Sequence, residues 1–467
     1  MTSIQDTPMA DAAAPPRQAP QQVQVKFTTR DPEISVPPAP ILVPANLKRY
    51  GLSQIINHLL DASPATPFDF LIDGAFLRSS LDSYLSQSGL SSESVITLEY
   101  VRAIVPPKFQ AAFQHDDWVS SVSVHGGGGS DGGGRILSGS YDGLARVWNL
   151  SGRVLAEAPG HVSAVKSVKW LGGDGARFVT AGMDRSLRLW AFEDDAEEES
   201  AAGKVTATAH LLGHKATVED VVVDPTSGRM LSASVDGKVG LWTCIPSESP
   251  AAPKDVLPPK PKKRKTSSAG SAPQYGPLGL LSGHSSPVSG VAFDPKDPTV
   301  AYSVSWDHTI RTWDLATRSL VDTRTTQYPL LAVCPLPSLS LLACGSSARH
   351  ITLHDPRASA ATVSTSTLRG HSNAVVALCA NRDSQWQMVS AGHDGTLRIW
   401  DVRATASGSM YTIKREGEDL TGKEKVFDVE WSQVGIVSGG EDKRVQINAT
   451  PRGGEAEVRV DKGKVQS

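Results

Sequence analysis

The sequence predicts a mainly β protein: a seven-bladed propeller preceded by a small α+β domain of the β-grasp type. Three observations predict it. A tryptophan closing an alternating hydrophobic strand recurs five times, at Trp148, Trp190, Trp242, Trp313 and Trp400. An aspartate stands six residues before each of them, and two weaker copies follow the same frame. Ahead of these repeats, one amphipathic helical segment lies among five short strand-like segments.

Composition bounds the rest. The chain has 467 residues, a length that predicts about three domains, and 39% of them are hydrophobic, which is material for sizeable cores. Its 41 Gly and 31 Pro make it rich in turns without the bias of a wholly disordered or collagen-like chain. A formal net charge of -3 excludes a globally basic nucleic-acid binder. The four cysteines, Cys244, Cys334, Cys344 and Cys379, show no CxxC spacing. They read as small hydrophobes in strands, in a reducing compartment. The N-terminus has no apolar h-region, and the most hydrophobic window, Pro329–Cys344, is broken by Pro335 and Pro337 and is too short to span a bilayer. A soluble intracellular protein without a membrane partner is expected.

Residues 1–22 read as a disordered lead-in rich in Pro, Ala and Gln. The small domain covers 23–104. QVQVKFTTR alternates as a strand and ILVP gives a second. Leu52, Ile55, Ile56, Leu59 and Leu60 share one face of a helix, since they follow an i, i+3, i+4, i+7, i+8 spacing. FDFLIDG and AFL form a strand pair, LDSYLSQSGL a helical turn, and VITLEYV the last strand.

The propeller covers 108–449. Four residues before each aspartate (Asp142, Asp184, Asp236, Asp307, Asp394) stands a hydroxyl (Ser138, Thr180, Ser232, Ser303, Ser390). About 29 residues before the last four tryptophans stand His161, His214, His284 and His371. These groups make one hydrogen-bonded network per blade, with structural histidines and aspartates, because unpaired polar groups in a blade core are costly. In the weaker copies His354 takes the tryptophan position, and Ile447 does so beside Ser438 and Asp442. The last repeat ends after its third strand near Ala449, so Lys108–Phe113 is expected to supply the fourth and close the ring.

Two insertions stand out, about 193–204 and 245–277, and both read as disordered surface loops. The first holds the acidic run EDDAEEES; the second holds Lys260, Lys262, Lys263, Arg264 and Lys265. That basic run has the character of a nuclear localisation signal, with contact to RNA phosphates as a second reading. The glycine-rich stretch His125–Gly134 lacks a GK(S/T) element and reads as a hairpin loop. Residues 450–467 form a C-terminal tail. No nucleophile elbow, HExxH or paired carboxylates appear, so a non-enzymatic protein without a cofactor of its own is expected.

The recurrence GH…(S/T)xxxD…W resembles the WD-repeat signature and covers about three-quarters of the chain. The small domain resembles a ubiquitin-like fold; it runs straight into the propeller at Val105-Pro106, as a fused binding module does. This domain pair resembles the WD-repeat subunit of the Pescadillo (PeBoW) complex and the related notchless proteins. LKRYGLSQIINHLL, FLRSSLDSYLSQSGLSSES, HDDWVSSVSV and CGSSARHITLHDPR are closer to the former, as is the count of seven repeats.

The resemblance implies a scaffold in large (60S) ribosomal subunit biogenesis and pre-rRNA maturation, in the nucleus, nucleolus and nucleoplasm. Its propeller would dock on the block-of-proliferation propeller protein that bridges to Pescadillo. Its ubiquitin-like domain would offer Glu93, in the GLSSE string, to a Mg²⁺ held by the AAA ATPase midasin, for release from the pre-60S particle. A hard divalent cation suits a carboxylate ligand. A ubiquitin-pathway adaptor with a substrate-binding propeller is the alternative; it requires an apolar patch on the ubiquitin-like sheet.

Overall fold

The computed structural model describes residues 21–89, 91, 95–126, 134–172, 175–194, 203–256, 272–358, 366–406, 408–416 and 424–450. The chain divides into two compact units, one up to Ile104 and one from Val105.

The first unit is a five-stranded sheet with two helices. Its elements are β1 (Gln22–Thr28), β2 (Pro40–Pro44), α1 (Arg49–Leu59), β3 (Phe68–Ile72), β4 (Ala75–Phe76), α2 (Leu81–Ser88) and β5 (Ile96–Arg102). The strand order is β2-β1-β5-β3-β4, with β1 and β5 parallel at the centre, which is the β-grasp arrangement. Alternation in β1 and β5 sends Val23, Val25, Phe27, Leu98 and Tyr100 to one face, where they pack with Leu52 and Ile56 of α1. The helix predicted from Leu47 to Leu60 is present as Arg49–Leu59; Leu52 and Ile56 are fully buried on the sheet, Ile55 and Leu60 partly, and Leu59 is exposed. Helix α2 starts where Ser80 caps the Ser83 amide and ends at Gly89, whose φ of 65° is the left-handed stop that glycine adopts without strain.

The second unit holds seven radially arranged sheets. Blade 1 comprises Val119–His125, Arg135–Ser140, Leu144–Asn149 and Val154–Pro159; blade 2 is built on Val165–Trp170, Arg177–Gly182, Ser186–Glu193 and Lys204–Leu212. Blade 3 comprises Val218–Asp224, Arg229–Ser234, Lys238–Thr243 and Gly279–Ser282; blade 6 comprises Val375–Ala380, Gln387–Gly392, Thr396–Asp401 and Tyr411–Lys414. Blade 4 comprises Val288–Phe293, Val300–Ser305, Thr309–Asp314 and Ser319–Thr325; blade 5 comprises Leu330–Leu336, Leu341–Ser346, His350–His354 and Ser366–Arg369. The apolar cores lie between blades rather than within them. Leu137 and Val147 of blade 1 share a cluster with Val165, Phe178 and Trp190 of blade 2. A single sheet has no second layer to cover it, so each blade buries its face on the next.

Ring closure follows the sequence reading. The last blade contains Val426–Ser432, Gly435–Gly440 and Arg444–Ala449, and its fourth strand is Lys108–Gln114, antiparallel to Arg444–Ala449. Asp428 reinforces the seam: its Oδ2 accepts from Ser121 Oγ at 2.7 Å and from the Val122 amide at 3.0 Å.

The insertions differ in part from the unstructured loops expected. Pairing in blade 2 continues to Glu193 opposite Lys204, so both ends of the first insertion belong to strands, while residues 195–202 lie outside the described residues. In the second, Gln274–Tyr275 adds a fifth strand to blade 2, parallel to Lys204–Leu212, and Ala251 bridges to Tyr275. The physical reason is the open outer edge of blade 2: the His210 amide donates to the Pro273 carbonyl at 2.9 Å, satisfying a group the edge would leave unpaired. The basic run Lys260–Lys265 and the glycine-rich residues 127–133 lie outside the described residues.

Candidate functional site

In blade 3, Trp242 Nε1 donates to Ser232 Oγ at 2.8 Å, Ser232 meets His214 Nε2 at 2.7 Å, and His214 Nδ1 meets Asp236 at 3.0 Å. The bonding pattern sets the direction: the indole donates to the hydroxyl, the hydroxyl to Nε2, and Nδ1–H to the carboxylate. Blades 2, 4 and 6 repeat it with Thr180, His161, Asp184 and Trp190; with Ser303, His284, Asp307 and Trp313; and with Ser390, His371, Asp394 and Trp400. Each aspartate also accepts backbone amides on both sides, as Asp236 does from Lys215 at 2.9 Å and Lys238 at 3.0 Å, and so pins two loops together.

The glycine before each histidine has a packing cause. A Cβ on Gly370 would stand 3.0 Å from Arg398 Nη1 and 3.1 Å from Trp400 Cη2.

The constellation Ser–His–Asp has the connectivity of a hydrolase triad. Here Ser232 is fully buried and its oxygen already holds an indole N–H, so no substrate reaches it. The chemistry it performs is to set charge. Burial acts to raise the carboxyl of Asp236, but the bonds from His214 and the amides outweigh it and bring it down to about 2. Asp307 falls to about 2 in the same way, through Thr309 and His284, while Asp184 and Asp394 lie lower still.

Two network members escape the spacing rule. In blade 1, His115 meets Ser138 at 3.0 Å, while Trp148 donates to the same hydroxyl at 2.7 Å. His115 precedes Trp148 by 33 residues because the glycine-rich insertion lengthens the repeat. Arg146 stands between His115 and Asp142, at 3.1 Å and 2.6 Å. Burial, with Arg146 beside it, lowers His115 to about 4. In blade 7, Arg415 replaces the histidine, bonding Ser438 and Asp442, each at 2.7 Å. Arginine at that position follows no part of the repeat signature. Blade 5 lacks the network, and His354, in the tryptophan position, is buried with Nε2 on Thr352 at 2.9 Å.

The innermost strands line a central channel of about 690 Å³, with Lys169, Asp220, Asp428 and Glu430 on its wall. Burial opposes charge on Lys169, but Asp428, Glu430 and Asp220 outweigh it and hold the ammonium protonated. Ser121, Ser167 and Asp220 each accept an amide from the next blade, so these polar groups stitch blades 1 to 4. Burial pushes the thiols of Cys244 and Cys379 up to about 11, which makes them unreactive packing groups. Among the described residues no group of three His, Cys, Asp or Glu is arranged to hold a metal, and no helix is long and apolar enough to cross a membrane.

In the first unit, β1 and β5 present Gln24, Lys26, Thr97 and Glu99 away from the core. The apolar patch that the ubiquitin-adaptor reading requires is not on these strands. Glu93 falls in the connection between α2 and β5 and lies outside the described residues.

A profile of the NLE (NUC135) domain matches residues 23–85. The WD domain, G-beta repeat, matches 108–149, 152–191, 204–243, 275–314 and 362–401, which takes in the five tryptophan-bearing strands and neither weak copy. The chain is 47% identical to the ribosome biogenesis protein ytm1 of Neosartorya fischeri, covering 94% of this chain and 97% of the relative. It is 48% identical to that of Emericella nidulans (92% and 96%) and 47% identical to that of Ajellomyces capsulatus (97% and 99%).

Proposed function

The chain belongs to the ytm1 family of ribosome biogenesis proteins, and from that membership we propose that it is a scaffold in assembly of the large ribosomal subunit. The observation that carries this is the joint presence of both domains along nearly the full length of relatives named for ribosome biogenesis. The sealed Ser–His–Asp networks support a binding rather than a chemical role, since every hydroxyl they contain is spent on an indole and an imidazole.

In this proposal the propeller docks on the block-of-proliferation protein and through it joins Pescadillo. The ubiquitin-like domain presents the Glu93 carboxylate to midasin, whose site supplies the Mg²⁺; the bond is a hard anion on a hard cation. ATP hydrolysis by midasin then removes the protein from the pre-60S particle. The sites of action are the nucleolus and nucleoplasm, with the Lys260–Lys265 run as the import signal.

Affinity purification of the tagged full-length protein, followed by gradient sedimentation, tests the reading. Cosedimentation with pre-60S particles and recovery of Pescadillo are expected. Recovery of proteasome or ubiquitin-ligase subunits, with none in the pre-60S fractions, would replace it with the ubiquitin-pathway adaptor.

A further inference from the structure

We infer that a cavity in blade 5 is a receptor for an acidic side chain of a protein partner. Registered against blade 4, blade 5 has Thr326 for the network histidine, Cys344 for the hydroxyl, Ala348 for the aspartate and His354 for the tryptophan. Even the glycine is replaced, by Thr325, in a blade whose indole is gone. Four groups that fill and neutralise this region elsewhere are lost together.

What remains is a cavity of about 210 Å³, lined by Thr326, Tyr328, His350, Thr352, Thr367 and Arg369 among others. Sites for whole small molecules run from roughly 300 to 1,000 Å³, whereas this space holds about seven waters, the scale of one side chain. No Asp or Glu lines it. Arg369 supplies a permanent positive charge and a fork of donors that matches a carboxylate. His350 is held in place by the Ala348 carbonyl at 2.9 Å from Nδ1.

The rim argues for a protein as the source of that carboxylate. Trp306 is 53% exposed and Tyr328 39% exposed. The Thr326 amide donates to the His308 carbonyl at 2.6 Å, so the turn carrying Trp306 and the loop carrying Tyr328 form one bonded unit. An exposed Tyr lining an arginine-bearing pocket, with an exposed Trp on the turn bonded to its loop, is the composition of an interface hot spot. The inference does not depend on which partner the propeller joins.

The test is a titration of the full chain, labelled with ¹³C at its histidine rings, with the peptides acetyl-Ala-Glu-Ala-amide and acetyl-Ala-Gln-Ala-amide at fixed ionic strength. His350→Gln identifies the His350 signal by its loss. The Glu peptide is expected to shift that signal saturably, and the Gln peptide to bind roughly tenfold more weakly, the worth of one charge-assisted hydrogen bond. Arg369→Ala should remove the preference and Arg369→Lys restore part of it. Ala348→Asp, which puts a carboxylate at the position the other blades use, should abolish the response. Equal shifts from the two peptides, or an unchanged preference in Arg369→Ala, would overturn the inference.

Discussion

Arg415 donates from Nε to Asp442 Oδ2 at 2.7 Å, with both side chains sealed from solvent at 1% and 0% exposure. Breaking a buried pair from one side leaves an uncompensated charge, which typically costs about 3–5 kcal/mol. Asp442→Ala should therefore lower the melting temperature by several degrees in a thermal scan. Arg415→His, which restores the arrangement of the other blades, should cost less. Equal melting temperatures for wild type and Asp442→Ala would show that the pair is not holding blade 7.

Trp242 serves blade 3 as volume and as donor, and two substitutions separate the roles. Trp242→Ala should destabilise by roughly 3–5 kcal/mol, as for other buried aromatics. Trp242→Phe keeps much of the packing but deletes the bond to Ser232, a loss of about 1 kcal/mol plus the cost of the smaller ring. Urea midpoints order the three proteins; a Phe variant as weak as Ala would place all the value in the hydrogen bond.

Stability should fall with acid in two stages. His115 and His210 each drop from an ordinary 6.5 to about 4, chiefly through burial and then through a neighbouring arginine. The unfolded chain binds these protons first, so their contribution is complete above pH 6.5 and is lost between 6.5 and 4. The carboxyls of Asp236 and Asp307 sit at about 2 rather than 3.8, so their contribution persists to pH 4 and disappears below it. Urea midpoints across this range should show both slopes, and His115→Gln should flatten the first. An unaltered first slope in that variant would contradict the assignment.

Glu93 tests the proposed release step. Glu93→Ala should abolish midasin binding, and Glu93→Gln should fail nearly as badly because an amide lacks the charge a hard cation favours. Glu93→Asp shortens the reach and should lose part or all of the binding. Recovery of Pescadillo should persist in all three, and chelation of divalent metal should mimic them in a pull-down. Full binding by the Gln variant excludes coordination.

Deleting Lys260–Lys265 should move the protein from nucleus to cytoplasm, as scored by fluorescence microscopy of a tagged copy. Undiminished nuclear signal would assign import to a partner or to another segment.

Much of this architecture can be read from one pattern, because the indole, hydroxyl, imidazole and carboxylate must lie at fixed separations to meet. That geometry made Trp242, Ser232, His214 and Asp236 legible, and the missing fourth strand pointed to Lys108–Phe113. His115 was not legible, since an insertion displaced it from its usual distance. Arg415 was hidden for a different reason: its side chain does the work of another residue type. The blade 5 cavity was legible only as His354 in the wrong place; that Thr326, Ala348 and His354 line one space is a fact of packing, which spacing does not report. The fifth strand of blade 2 was likewise hidden in a stretch rich in proline and lysine.

The closing pair of strands, Lys108–Gln114 and Arg444–Ala449, sets a timetable for synthesis. At the usual 5–20 residues per second of translation, the earlier strand leaves the ribosome roughly 20 to 70 s before its partner exists. During that interval the nascent chain can complete its N-terminal domain, while the first strand of the ring waits with its backbone donors and acceptors bonded to water rather than to a partner strand. Any chain that terminates before Arg444 keeps that edge open permanently. The arrangement therefore ties closure of the ring to completed synthesis, since only a chain extended through Ala449 supplies the strand that pairs with Lys108–Gln114.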